Sequence, residues 1–140
     1  MRHVLPWVVC AGGLLVACDG GSPLVPTAPS SLRSIIVGEV IRARVTVDDP
    51  LCDREEPTHC QGYSFTTTRD GLLDVTLAWS PSTPESAVYP LGFAVIDPTG
   101  RHWYPVEPGR VSLQATNRSF YRIRIWSLPN EEYVIRTSLR

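Results

Sequence analysis

The 140 residues contain no lysine, one methionine and four cysteines. All 13 basic side chains are therefore arginine, set against 14 Asp and Glu, and the formal net charge is −1. Without clustered excess positive charge there is little to neutralise phosphates, so no nucleic-acid partner is expected. Four cysteines are too few for a disulfide-dense miniprotein. A hydrophobic share of 43% with so little net charge excludes a disordered chain. No stretch long enough for an ordinary helix carries a helical period, and neither repeats nor coiled-coil heptads occur. Catalytic signatures are equally scarce. There is no Gly-x-Ser-x-Gly elbow and no Gly-rich phosphate loop behind a strand. His59 and His102 could be combined with Ser64 or Ser80 into a triad only by accident, so a small hydrolase is the least favoured reading and no catalytic residue is assigned. The length allows one domain of ordinary size.

What is present begins with an address. Met1-Arg2-His3 leads into an apolar run that ends on small side chains, the order of a secretory signal peptide. The run falls short of the roughly 20 apolar residues that span a bilayer, and Pro6, Gly12 and Gly13 argue against a buried helix. Leu15-Val16-Ala17-Cys18 resembles the lipobox of bacterial lipoproteins. The resemblance implies that the Cys18 thiol carries a diacylglycerol and becomes the new N-terminus. Two or three acyl chains there would give stable membrane attachment. It implies a place in the bacterial cell envelope facing outside the cytoplasm, on either membrane. Residues 18–33, with Pro23, Pro26 and Pro29 among Ser, Thr and Ala, read as an extended tether. The expected organisation is a signal peptide over 1–17, the tether over 18–33, and a folded domain over 34–140.

Cys10 leaves with the signal peptide and Cys18 is consumed by lipid, which leaves Cys52 and Cys60. Outside the cytoplasm such a pair is normally oxidised. A metal site would need two more ligands, and only His59 stands nearby. Closing so short a loop stabilises by about 2.5 kcal/mol.

From Ile35 onward the period is two. Ile41, Ala43, Val45 and Val47 alternate with Arg42, Arg44 and Thr46. Tyr63-Phe65-Thr67, Leu73-Val75-Leu77-Trp79, Leu91-Phe93-Val95, Val111-Leu113-Ala115, Tyr121-Ile123-Ile125 and Tyr133-Ile135-Thr137 do the same, and Arg101–Val106 supplies one more strand. Ser80 to Pro90 reads as a loop, and Asp97-Pro98-Thr99-Gly100 as a tight turn. About eight short strands divided by Pro, Gly, Asp and Asn predict an all-β fold, an antiparallel sandwich or barrel.

The order of these segments resembles the bacterial pre-peptidase C-terminal domain. The residues that carry the likeness are Tyr63-Ser64-Phe65-Thr66, Asp70-Gly71-Leu72-Leu73-Asp74-Val75-Thr76-Leu77-Ala78-Trp79, Phe93-Ala94-Val95-Ile96-Asp97-Pro98-Thr99-Gly100 and Phe120-Tyr121-Arg122-Ile123-Arg124-Ile125. The resemblance implies a jelly-roll-like β-sandwich and an accessory role. Tyr89-Pro90-Leu91-Gly92-Phe93 departs from the acidic strand common in that family, and no peptidase accompanies the domain.

Two surfaces stand out. Asp48, Asp49, Asp53, Glu55 and Glu56 crowd beside the cysteine loop and could hold calcium, which favours six to eight oxygens. Arg54 partly cancels their charge, and a solvated loop is the plainer account. Glu131-Glu132 also reads as a solvated pair. Arg122, Arg124 and Trp126 share one face of a strand, and with Trp103 they offer aromatic and cationic contacts. The leading expectation is a lipid-anchored, non-catalytic module that binds an envelope glycan, peptide or protein, with no cofactor. A calcium-dependent surface module using the 48–56 loop is the alternative.

Overall fold

The computed structural model describes residues 32–53 and 56–140. The signal peptide, the lipobox with Cys18, nearly all of the tether, Arg54 and Glu55 lie outside the described residues.

Nine strands and one short helix make up the described residues: β1 (Arg33–Ser34), β2 (Val40–Arg44), β3 (His59–Thr66), β4 (Gly71–Trp79), α1 (Pro84–Val88), β5 (Gly92–Ile96), β6 (His102–Trp103), β7 (Arg110–Ala115), β8 (Phe120–Ser127) and β9 (Glu132–Leu139). They form two sheets, a five-stranded one in the order β1-β3-β8-β5-β6 and a four-stranded one in the order β2-β9-β4-β7. The fold is the expected all-β sandwich. All strand neighbours are antiparallel except β1 and β3, which run parallel.

The period-two pattern does what it should. On β8, Tyr121, Ile123 and Ile125 are buried while Arg122 and Arg124 are exposed. Leu73 and Val75 from β4, Val95 from β5 and Ile135 from β9 complete the dry layer between the sheets. Each such side chain contributes roughly 1.5–3 kcal/mol by leaving water. Within that layer Tyr63 of β3 and Tyr133 of β9 meet hydroxyl to hydroxyl at 2.6 Å. Burial pushes both phenols above their ordinary pKa. Tyr133 also donates to Gln61 Oε1, which leads the polar chain out to a surface loop.

Several expectations are corrected at element ends. The first long strand stops at Arg44, not Val47. Asp49 Oδ2 accepts from Thr46 N at 2.7 Å and turns the chain, leaving Val47 69% exposed. Arg101–Val106 yields only His102–Trp103, because Pro105 and Pro108 interrupt pairing. Within the Ser80–Pro90 loop Thr83 caps α1, its Oγ1 accepting from Ser86 N at 3.2 Å, with Pro84 at the start of the helix. Arg33, the last residue of the segment read as tether, already lies in β1. The Asp97–Gly100 turn forms as expected. Asp97 Oδ1 accepts from Thr99 N at 2.9 Å and Arg101 N at 3.1 Å, and Gly100 takes φ +87°. The hydrogen bond from the Thr99 side chain leads the effects that hold the Asp97 carboxyl down at about 2, against opposition from burial.

Candidate functional site

The outer face of the five-stranded sheet is shaped by residue size. On β8, Arg124 stands between Gly62 of β3 and Ala94 of β5, and Trp126 stands between Cys60 and Gly92. Two large side chains on the middle strand are thus flanked by small ones, which lets them lie down across the sheet. Trp126 does so over Gly92. A Cβ at that position would meet Cε2, Cζ2 and Nε1 of the indole at 2.4, 2.5 and 2.5 Å. Glycine is required there by the ring, not by backbone conformation.

The disulfide supplies one wall. Cys52 and Cys60 are joined with their Cα atoms 5.0 Å apart. The loop between them is fastened to the sheet by Cys52 N to Thr58 O at 2.9 Å and Cys60 N to Pro50 O at 2.7 Å. Arg124 reaches toward this loop, donating from Nε to Cys60 Sγ and from Nη2 to Cys52 O, both at 3.4 Å. Tyr104 supplies the opposite wall. Its ring is edge-on to Trp126 with centroids 6.4 Å apart and edge-on to His102 at 6.2 Å.

Between these walls lies a cleft of about 260 Å³, reached by Asp53, Glu56, Thr58 and His102 as well as Arg124 and Trp126. Tyr104 and Trp126 also border a second, more apolar groove of about 500 Å³, which runs toward Trp79, Leu91 and Phe93. The two spaces share a wall of two aromatic rings.

The structure therefore sorts the sequence candidates. Arg124 and Trp126 are brought together in the cleft, with Asp53 and Glu56 at its edge. Arg122 is exposed two residues along the same strand and does not line it. Trp103 faces the other way. It pairs with the buried Val95 and packs on the core, its Nε1 donates to Asp97 Oδ2 at 2.9 Å, and the Arg101 guanidinium lies 4.1 Å from its ring centroid. Tyr104 is one of the aromatics that the sequence offers for stacking on a sugar or a partner protein, and the structure puts it beside His102, to which the sequence reading gave no such role. Their position two residues apart on a face set by β6 could have suggested it.

The acidic group is dispersed. Asp49 Oδ2 is occupied by Thr46 N, Thr46 Oγ1 and Gln61 Nε2 at 2.7, 3.1 and 2.7 Å. His59 Nδ1 donates to the Asp49 carbonyl at 2.5 Å instead of facing a metal with Cys60. Among the described residues no three His, Cys, Asp or Glu side chains gather as a metal site, and Glu55 lies outside those residues.

Glu131 corrects the sequence reading most sharply. It is 1% exposed. Its carboxylate accepts from Trp79 Nε1 at 2.7 Å and from Ser82 N at 3.2 Å, and also from the hydroxyls of Ser82 and Ser86. Burial pushes its pKa up, but the hydrogen bonds from Ser82, Ser86 and Trp79 outweigh it, so the carboxyl titrates below its usual range.

No known protein family matches the sequence, and no curated protein does. Solved structures do. The chain is similar to the pre-peptidase C-terminal domain of a collagenase from Bacillus anthracis, with 10% identity over 79% of this chain and 97% of that one, at a TM-score of 0.52. It is also similar to PliG from Aeromonas hydrophila, a periplasmic lysozyme inhibitor of g-type lysozyme, with 9% identity over 78% and 97% of the two chains and a TM-score of 0.50. At these identities the likeness is one of fold, and it agrees with the resemblance read from the strand order.

Proposed function

We propose that the protein is a non-catalytic binding module of the bacterial cell envelope, held to a membrane by lipid on Cys18. Its working surface is the cleft between the Cys52–Cys60 loop and Tyr104. The observation that carries this reading is the posture of Trp126: a large aromatic ring is spread over a glycine on the sheet face instead of being folded into the core. Exposed aromatic area beside an arginine is the usual anchor of a recognition surface. A sandwich of this fold serves in A. hydrophila as a periplasmic lysozyme inhibitor, which supports a binding role for such a domain. Residues before Leu32 would act as the spacer between lipid and cleft.

Two measurements test it. Expressed in a bacterium with its own N-terminus, the chain should fractionate with membranes and lose residues 1–17 by intact mass, and Cys18→Ala should abolish both. A photo-crosslinking amino acid at position 104 should capture an envelope component, while the same group at position 47 on the exposed Val47 turn should not. A chain that keeps Met1 and stays in the cytoplasm refutes the anchor. Equal capture at both positions refutes the surface.

A further inference from the structure

We infer that the cleft is a carbohydrate site, in which one uncharged hexopyranose unit of a longer glycan stacks on the Trp126 indole. This deepens the proposed function and rests on the cleft being the binding surface.

The first ground is ring orientation. Three bonded neighbours of the indole, Nε1, Cε2 and Cζ2, are nearly equidistant from the Cβ position of Gly92. The strand therefore meets the ring by its face and not by its edge, and the opposite face is turned outward. An outward π-face suits a ligand with one apolar face of C–H bonds and polar groups around its edge, which describes a pyranose.

The second ground is the mixed rim. Arg124 brings guanidinium donors and, among the described residues, forms no ion pair. Glu56 brings a carboxylate acceptor and Thr58 a hydroxyl. Sugar hydroxyls both donate and accept, so they use both kinds. Among the described residues of the cleft the Arg124 cation is matched by the Glu56 carboxylate, which leaves no excess positive charge for an acidic sugar, and the uncharged class follows. A peptide ladder is disfavoured by position, because β8 is the middle strand of its sheet and has no free edge for strand addition.

The third ground is extent. The cleft is smaller than the roughly 300–1,000 Å³ of sites that enclose a whole drug-sized ligand, so it seats one ring. The groove beyond Tyr104 and Trp126 leads to Trp79, whose indole is fixed by its bond to Glu131. A chain crossing the shared wall would find a second aromatic surface there.

The test uses the full chain purified in detergent and labelled with nitrogen-15. Titration with chitohexaose and with cellohexaose should move the Trp126 indole N–H and the Arg124 and Ala94 signals, leaving Trp103 unmoved. Galacturonate hexamer should bind at least tenfold more weakly. Arg124→Gln, at an exposed position, should weaken the uncharged ligands by about tenfold with an otherwise superimposable spectrum. Trp126→Ala should abolish binding, and Trp126→Phe should restore part of it. No shift with either uncharged hexamer, preference for galacturonate, or shifts centred elsewhere would each overturn the inference. If the sugars are inert but position 104 still captures an envelope protein, the carbohydrate assignment falls and the binding module stands. If neither occurs, both fall.

Discussion

Trp79 and Glu131 are bonded across 52 positions of sequence, the indole Nε1 donating to a carboxylate that is itself 1% exposed. That carboxylate also receives Ser82 and Ser86, so it ties the end of β4, the α1 loop and the turn before β9 into one unit. Replacing it with alanine would take this acceptor from the buried Ser86 hydroxyl and the half-buried Trp79 Nε1. Glu131→Ala is expected to cost roughly 2–4 kcal/mol, read as a fall in the urea midpoint at constant slope. Glu131→Gln should cost less, because it keeps an acceptor. The depressed pKa adds a sign: the charged form's contribution is complete above the unfolded pKa and is lost as pH falls through the lower folded value. A loss below about 1 kcal/mol would show that the carboxylate is solvated after all.

Asp74 offers a cleaner acid titration. It is 5% exposed on β4 and is met by Ser112 Oγ, by Arg110 Nη2 at 2.8 Å and by Arg140 Nη2 at 2.6 Å. The Ser112 hydrogen bond leads the effects that bring its pKa down to about 2, against burial, with the two arginines adding to it. An unfolded aspartate titrates near 3.9. Its stabilisation is therefore full above about pH 4 and disappears as pH falls toward 2. Thermal melts of wild type and Asp74→Asn should differ by a constant amount from pH 7 to about 4 and converge below that. Because both arginines are substantially solvated, the plateau should be about 1–2 kcal/mol. A difference that persists unchanged at pH 2 would remove the charge argument.

The architecture was legible because alternation reports which face of a strand is dry. Ile123 and Ile125 against Arg122 and Arg124 could be placed without coordinates. The cleft was only half legible, for a physical reason. Arg124 and Trp126 are two residues apart and declare a common face, whereas the smallness that lets them lie flat belongs to Gly62, Gly92 and Ala94 on other strands. Only the register brings those residues alongside. Trp103 sits in a strand of only two residues, and its place alongside Val95 comes from register, which alternation does not report. Glu131 was read as solvated because its donors, Trp79, Ser82 and Ser86, are 45 or more positions away.

The cysteine loop should matter twice. It forms one wall of the cleft, and it constrains the unfolded chain. The double variant Cys52→Ser/Cys60→Ser is expected to lose about 2.5 kcal/mol, a fall of roughly 10 °C in calorimetric midpoint for a domain of this size. The Arg124 contacts to Cys52 O and Cys60 Sγ should go with it, seen as averaging of the Arg124 side-chain signals. The serine variant keeps the Leu51–His59 bridge and the Pro50 carbonyl bond. An unmoved midpoint would show that closing this loop does not stabilise the fold.

Gly92 allows the most discriminating experiment, because its requirement comes from a partner side chain. Adding a methyl group would drive it into the Trp126 ring at 2.4–2.5 Å. The indole must then lift off the sheet, and overpacking of this kind costs typically 1–3 kcal/mol. Gly92→Ala should therefore lower the urea midpoint and change the near-ultraviolet dichroism of the indole. It should also release the edge-on contact with Tyr104. In a Trp126→Ala background the obstacle is gone, so the same substitution should be neutral or slightly stabilising, since alanine restricts the unfolded chain more than glycine. The coupling between the two positions should exceed about 1 kcal/mol, as expected for side chains in direct contact. Equal cost in both backgrounds would trace the strain to the β5 backbone, and the flat seating of Trp126, on which the binding surface depends, would have to be abandoned.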